Sequence, residues 1–216
     1  MNPEHDNNAA QPSPETSPAS RTLALRTAAA AALIATILRI VPHPTNFNAV
    51  GAASLFGGAR VGGWTAYLIP IALMIASDLV LWLLSGFDYN YSLAHPSRFF
   101  VYGSFLIYVW IGAGLLKRGS FGAVVLAGVL GGAQFFVLTN FCEWLFQPLY
   151  YDTIAEPFRY SRDWSGLGAC FAAALPFYQG DTPFGQHPFP LLSDFRLTIV
   201  WSILGDIAFT AIYLAV

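Results

Sequence analysis

Apolar residues run along this chain in long blocks, without the polar stripe that a water-exposed helix keeps on one side. A helix that crosses the hydrocarbon of a bilayer needs about 20 apolar residues, at about 1.5 Å of rise each. Five blocks meet that length, some after trimming: 23–41, 64–84, 99–116, 121–141 and 197–216. A sixth, 48–61 (NAVGAASLFGGARV), is short and glycine-rich, and Gly57 and Gly58 give neighbours room to approach. It predicts a short spanning or half-spanning helix. The block 164–178 is shorter than a comfortable span and contains Pro176, so it predicts a re-entrant or interfacial helix. The pattern as a whole predicts an all-α integral membrane protein of about six transmembrane helices, with one extra short helix.

Residues 1–21 differ in kind. They are rich in Pro, Ser and Asn and hold little to bury, which predicts a disordered tail ahead of a polytopic transmembrane domain over 22–216. The tail lacks the basic start and immediate apolar core of a signal peptide, so the first helix is expected to stay with the protein.

Composition sharpens this picture. Hydrophobic residues make up 56% of the chain and charged residues 10%, against roughly 25% charged in soluble domains. So few charges keep the surface wet only if lipid covers most of it. The net charge of −2, with Lys117 as the sole lysine, leaves no basic stripe for nucleic acid. Cys142 and Cys170 lie in apolar context at no metal spacing and read as packing residues. His43, His95 and His187 share no metal-ligand spacing either, so no metal and no cofactor is expected. Glu143, His43, His95 and Asp78 are the candidates for acid–base chemistry, but H-E-x-x-H and G-x-S-x-G are both missing from the sequence. The chain is not expected to be an enzyme. Nor does G-x-x-x-x-G-K-[ST] occur, so energy from ATP would have to come from a partner.

Basic residues in short connections orient the chain. Arg21 and Arg26 precede the first helix, Arg60 follows the second, and Lys117 with Arg118 joins the fourth to the fifth. These fall on one side, predicted to be the cytoplasmic side of the cell membrane, with the N-terminus there. The loops 42–47, 85–98 and 142–196 then lie outside.

Ionisable groups at bilayer depth cost about 2.5–3.5 kcal/mol on insertion scales, so they turn toward protein or a cavity. Arg39 is in the outer part of the first helix, and Asp78 is outward of centre in the third. Asn140 and Glu143 close the outer end of the fifth helix. His43, Asn46 and Asn48 follow the first helix on the same side. Together they outline an outward-facing pocket for a small-molecule solute. Each group also has a plainer reading. Arg39 and Asp78 form a structural ion pair, Asn140 and Glu143 mark a helix end among lipid headgroups, and Trp82, Trp144 and Trp164 are interfacial anchors. Asp206 lies deeper and reads as a hydrogen-bonded structural group. The two prolines of 42–47 stiffen that loop, as a pocket wall or simply as a helix–helix turn. Ala24, Ala28 and Ala32 lie four apart on one helix face, fit for close contact inside the chain or with a partner subunit.

The runs PHPTNFNAVGAASLFGGA (42–59), IPIALMIASDLVL (69–81), TNFCEWL (139–145) and WSGLGACFAAALPFY (164–178) resemble an uncharacterised bacterial membrane-protein family, a domain of unknown function. That family is in turn similar to the substrate-binding S components of energy-coupling-factor (ECF) vitamin importers. The likeness rests on the six helices, the Pro- and Phe-rich loop before a glycine-rich second helix, and an ALPF segment before the last. The resemblance implies solute binding near the outer face by the 42–48 loop, Asp78 and Asn140. It also implies docking through Ala28 and Ala32 onto a transmembrane T subunit driven by two ATPases. The 142–196 loop is long for an S component. The alternatives are a self-sufficient secondary transporter or channel, which often shows paired repeats not found here, and a structural membrane protein without a ligand.

Overall fold

The computed structural model describes residues 18–40, 49–89, 92–117, 119–147, 159–174 and 198–215. Among them are seven helices and no strand: α1 (Pro18–Ile40), α2 (Val50–Phe56), α3 (Gly63–Leu84), α4 (Ser97–Leu115), α5 (Phe121–Leu145), α6 (Trp164–Ala174) and α7 (Thr198–Ala215). Four are long and apolar enough to cross a membrane: Pro18–Arg39, Gly63–Leu84, Ser97–Leu115 and Phe121–Leu145. The prolines and glycines set most of the boundaries. Pro18 opens α1, where its missing N–H is no loss and its fixed φ suits a helix. The helix thus takes up residues 18–21, which the composition had assigned to the tail. Ser120 caps α5, accepting from the Ala123 amide at 3.3 Å.

The short α2 is the centre of the bundle. All of its residues are buried, and it packs against α1, α3, α4, α5 and α7. It continues into a π-helical turn, Gly57–Val61, closed by a bond from the Gly62 amide to the Gly57 carbonyl at 3.1 Å. Gly62 (φ 67°) and Gly63 (φ 58°) then reverse the chain into α3 through left-handed backbone that only glycine adopts cheaply. The 12 residues of α2 and its turn reach about 18 Å, well short of a bilayer core of about 30 Å. Its small side chains explain its position. A Cβ on Gly58 would collide with the Val109 carbonyl, and one on Gly112 with the Leu55 carbonyl, so α2 and α4 meet backbone to backbone.

Around this centre, Ala28, Ala31 and Ala35 of α1 are buried to within 1% exposure, and Ala32 is partly buried at the edge of the same core. Ala28 is therefore covered within the chain, while Ala32 keeps part of its surface. The outward sides carry Leu33, Ile37, Leu68, Leu83 and Trp110, all exposed, as lipid-facing positions are. With 11 residues, α6 reaches only about 16 Å and lies against α5.

Candidate functional site

Three helices bring charged groups together at one end of the bundle. Asp78 lies in the last third of α3 with no solvent exposure. Arg39, from the last turn of α1, places Nη2 2.7 Å from Asp78 Oδ1. Its Nη1 donates to Ser77 Oγ and lies 3.3 Å from Met74 Sδ. On the second oxygen, Tyr102 of α4 donates to Asp78 Oδ2 at 2.8 Å, and Arg98 Nε stands 3.2 Å away. Both carboxylate oxygens are thus engaged, each by a cation. The arginine side chains keep 17% and 14% exposure while the carboxylate keeps none. The negative charge is sealed, and its two counter-charges reach the surface in part.

Local sequence explains the convergence. Arg98 and Tyr102 are four apart on α4 and so share a face. Ser77 turns its hydroxyl back to the Leu73 carbonyl at 2.8 Å, saturating itself beside the ion pair. In the connection before α4, His95 is buried, and its Nδ1 lies 2.7 Å from Ser97 Oγ. Burial, and then the charge of Arg98, hold the His95 imidazole below its ordinary pKa of 6.5.

Of the residues the sequence pointed to, Arg39 and Asp78 meet directly. His43, Asn46 and Asn48 lie outside the described residues, as does the whole 42–47 loop. Asn140 and Glu143 belong to another neighbourhood. Both lie in the last turns of α5, which runs to Leu145 and packs against α6. Asn140 Nδ2 donates to its own helix at the Phe136 carbonyl, 2.8 Å away. Its backbone oxygen accepts from Cys170 Sγ of α6 at 3.4 Å. Glu143 is near enough to Tyr160 and Cys170 for its charge to act on both. The segment before α6 is stitched to the end of α5. The buried Gln147 accepts from the Tyr160 amide at 2.7 Å and donates to the Tyr160 carbonyl at 3.0 Å. Trp144 Nε1 donates to the Ser161 carbonyl at 2.8 Å. Asp163 caps α6 by accepting from the Gly166 amide at 2.8 Å. That bond and two serine hydroxyls hold its carboxyl down at about 2.

Arg98 and Tyr102 were missed as site residues. For Arg98, the spacing of four to a tyrosine at a helix start is the available signal. Deeper in the bundle, Asp206 of α7 is 3% exposed. It accepts from Tyr108 of α4 at 2.6 Å, and Gly51 of α2 packs so closely that a Cβ there would strike the carboxylate. Among the described residues no three His, Cys, Asp or Glu side chains cluster to hold a metal.

With only helices among the described residues, four of them long and apolar enough to cross a bilayer, and charges buried between them, the chain has the features of a helical membrane protein. A family model described as "Family of unknown function (DUF6580)" matches residues 19–216, and the chain belongs to that family. No curated protein and no solved structure matches it.

Proposed function

We propose that this chain is a solute-binding membrane subunit of a transporter, similar in role to the S components of ECF importers. The observation that carries this reading is the Asp78 group. It is a sealed carboxylate shared by arginines from two helices, at one end of the bundle, with both guanidinium groups partly open to the surface. Guanidinium forks are strong donors to the oxygens of a small molecule. A solute that takes over one arginine exchanges a protein ion pair for a bound ligand, so the site closes when empty and when full. In this reading the chain crosses the cytoplasmic membrane about six times, with α7 as one of the crossings. Its N-terminus is on the cytoplasmic side and the Asp78 group faces out. ATP hydrolysis would come from a T subunit and its two ATPases, and the chain itself would do no chemistry. Because Ala28 is covered, docking through α1 would use the neighbouring Ala32 and the exposed side of the helix.

One observation favours a second reading. Both Asp78 oxygens already have partners, as in a structural ion pair that ties α1, α3 and α4 together without any ligand. Native mass spectrometry of the gently solubilised protein separates the two. A transport subunit retains a small molecule, and co-purifies with membrane and ATPase partners from its own cells. A protein that arrives bare and alone from every preparation is the structural one.

A further inference from the structure

The opposite end of the bundle holds a cavity that the Asp78 group does not share. It has a volume of ≈ 230 Å³ and is lined by the start of α1, the π-helical turn and the end of α7. Arg21 and Arg39 are 18 residues apart on α1, which at about 1.5 Å per residue puts the two places about 27 Å apart. The walls are of two kinds. Leu23, Ala24, Phe56 and Leu214 make its apolar lining, and Arg21 and Arg60 add two basic side chains to it. Both arginines are exposed, and among the described residues neither makes an ion pair. Arg60 reaches across to the α4–α5 connection, where a Cβ on Gly119 would lie 3.3 Å from its Nη2. Tyr213 also lines the cavity. It is 5% exposed, and its buried hydroxyl has no hydrogen-bond partner.

We infer that this cavity holds the headgroup end of an anionic phospholipid. Three features select that ligand. The cavity is smaller than the roughly 300–1,000 Å³ of drug-sized pockets, which suits a phosphate and the first carbons of its chains. Two guanidinium groups match a phosphate by charge and by paired donors. The site sits at the ends of helices that cross the bilayer, where headgroups lie and acyl chains continue along exposed apolar residues such as Leu23 and Leu33. The inference needs the membrane reading of the long helices and is independent of whether the chain transports anything.

The plainer role for the arginines is to cap the last carbonyls of α7, and the experiment must tell the two apart. The full chain, purified in a neutral detergent, is titrated with short-chain phosphatidylglycerol, with phosphatidylcholine and with inorganic phosphate, reading bound mass and thermal stability. The expected result is preferential retention of phosphatidylglycerol. Each juxtamembrane basic residue contributes about fivefold to anionic-lipid binding, so R21Q with R60Q should weaken retention about thirtyfold. R26Q with K117Q, which removes equal charge at the same end but outside the cavity, should have far less effect. Ala24→Phe, which fills the cavity and keeps every charge, should also abolish the preference. Equal loss from both charge pairs means diffuse attraction and overturns the site. So does equal binding of all lipids, which a cavity filled by the chain itself would give. Stability that falls in R21Q/R60Q without any change in lipid preference assigns the arginines to capping. Inorganic phosphate that binds as well as the lipid makes this a free-phosphate site and overturns the lipid.

Discussion

Among the described residues two carboxylates are buried in this bundle, and the protein treats them in opposite ways. Asp78, near a helix end, is bracketed by two arginines, a tyrosine and the saturated Ser77 beside it. Asp206, deeper among α2, α4 and α7, accepts from the Tyr108 hydroxyl at 2.6 Å and makes no ion pair among the described residues. Removing a charge from water is costly, and mutual attraction repays that only where geometry and hydrogen bonds are good. The Asp78 group meets this requirement with cations drawn from two different helices. The Asp206 group needs only one neutral donor and a glycine that lets α2 close over it. One region is thus built around charge with partial access to the surface, and the other around close packing. That contrast is why the first is the better candidate for binding a solute.

The largest expected effect follows from unpairing charge. Asp78→Ala strands the guanidinium of Arg39 beside that of Arg98 and should cost about 3–5 kcal/mol in detergent denaturation. Asp206→Asn, which strands no counter-charge, should cost about 1–3 kcal/mol. Equal losses would erase the distinction. Packing comes next. Gly51→Ala drives a methyl into the Asp206 carboxylate and the Tyr108 ring, and overpacking of this kind costs about 1–3 kcal/mol. The tyrosines sharpen the contrast further. Tyr108→Phe removes the hydroxyl donor of a buried carboxylate, about 1–3 kcal/mol, whereas Tyr102→Phe leaves two arginines in place and should cost about 0.5–1.5 kcal/mol.

The smallest effect is a pH slope confined to the Asp78 end. The folded state holds His95 below its ordinary value of 6.5, so below that pH the unfolded chain binds more protons than the folded one. Stability from this group is complete above pH 6.5 and falls as the pH drops toward the lowered folded value. Replacing His95 with Asn should flatten that part of a stability–pH curve measured between pH 5 and 8, a window set by the ordinary histidine pKa of about 6.5.

Much of this architecture was legible in the sequence, because lipid forces long apolar runs and glycine and proline punctuate them. The short second helix announced itself through Gly57 and Gly58, and the ion pair through the rarity of charges such as Arg39 and Asp78. What sequence could not show was which face of each helix looks inward. Blocks that are apolar on all sides carry little periodic contrast, so only polar side chains mark a face. Two polar residues near one depth then look like one site. Asn140 and Glu143 illustrate this, because depth alone does not say which neighbours each of them meets. The apolar block stops at Phe141, but Cys142–Leu145 offers no helix breaker, and the next proline is Pro148. The helix therefore runs on to Leu145, and the Asn140 backbone carbonyl meets Cys170 of α6. Arg98 is harder to read, because an arginine beside a loop resembles a solvated charge until α4 is known to start at Ser97.

The most direct test sets the two carboxylates side by side. Asp78→Asn and Asp206→Asn keep side-chain shape and remove only charge, and native mass spectrometry of each, gently solubilised, reads the retained small molecule. The expected result is a bound solute in the unmodified chain and in Asp206→Asn, and its loss in Asp78→Asn. A solute that survives the Asp78 change and leaves with the Asp206 change would contradict the account.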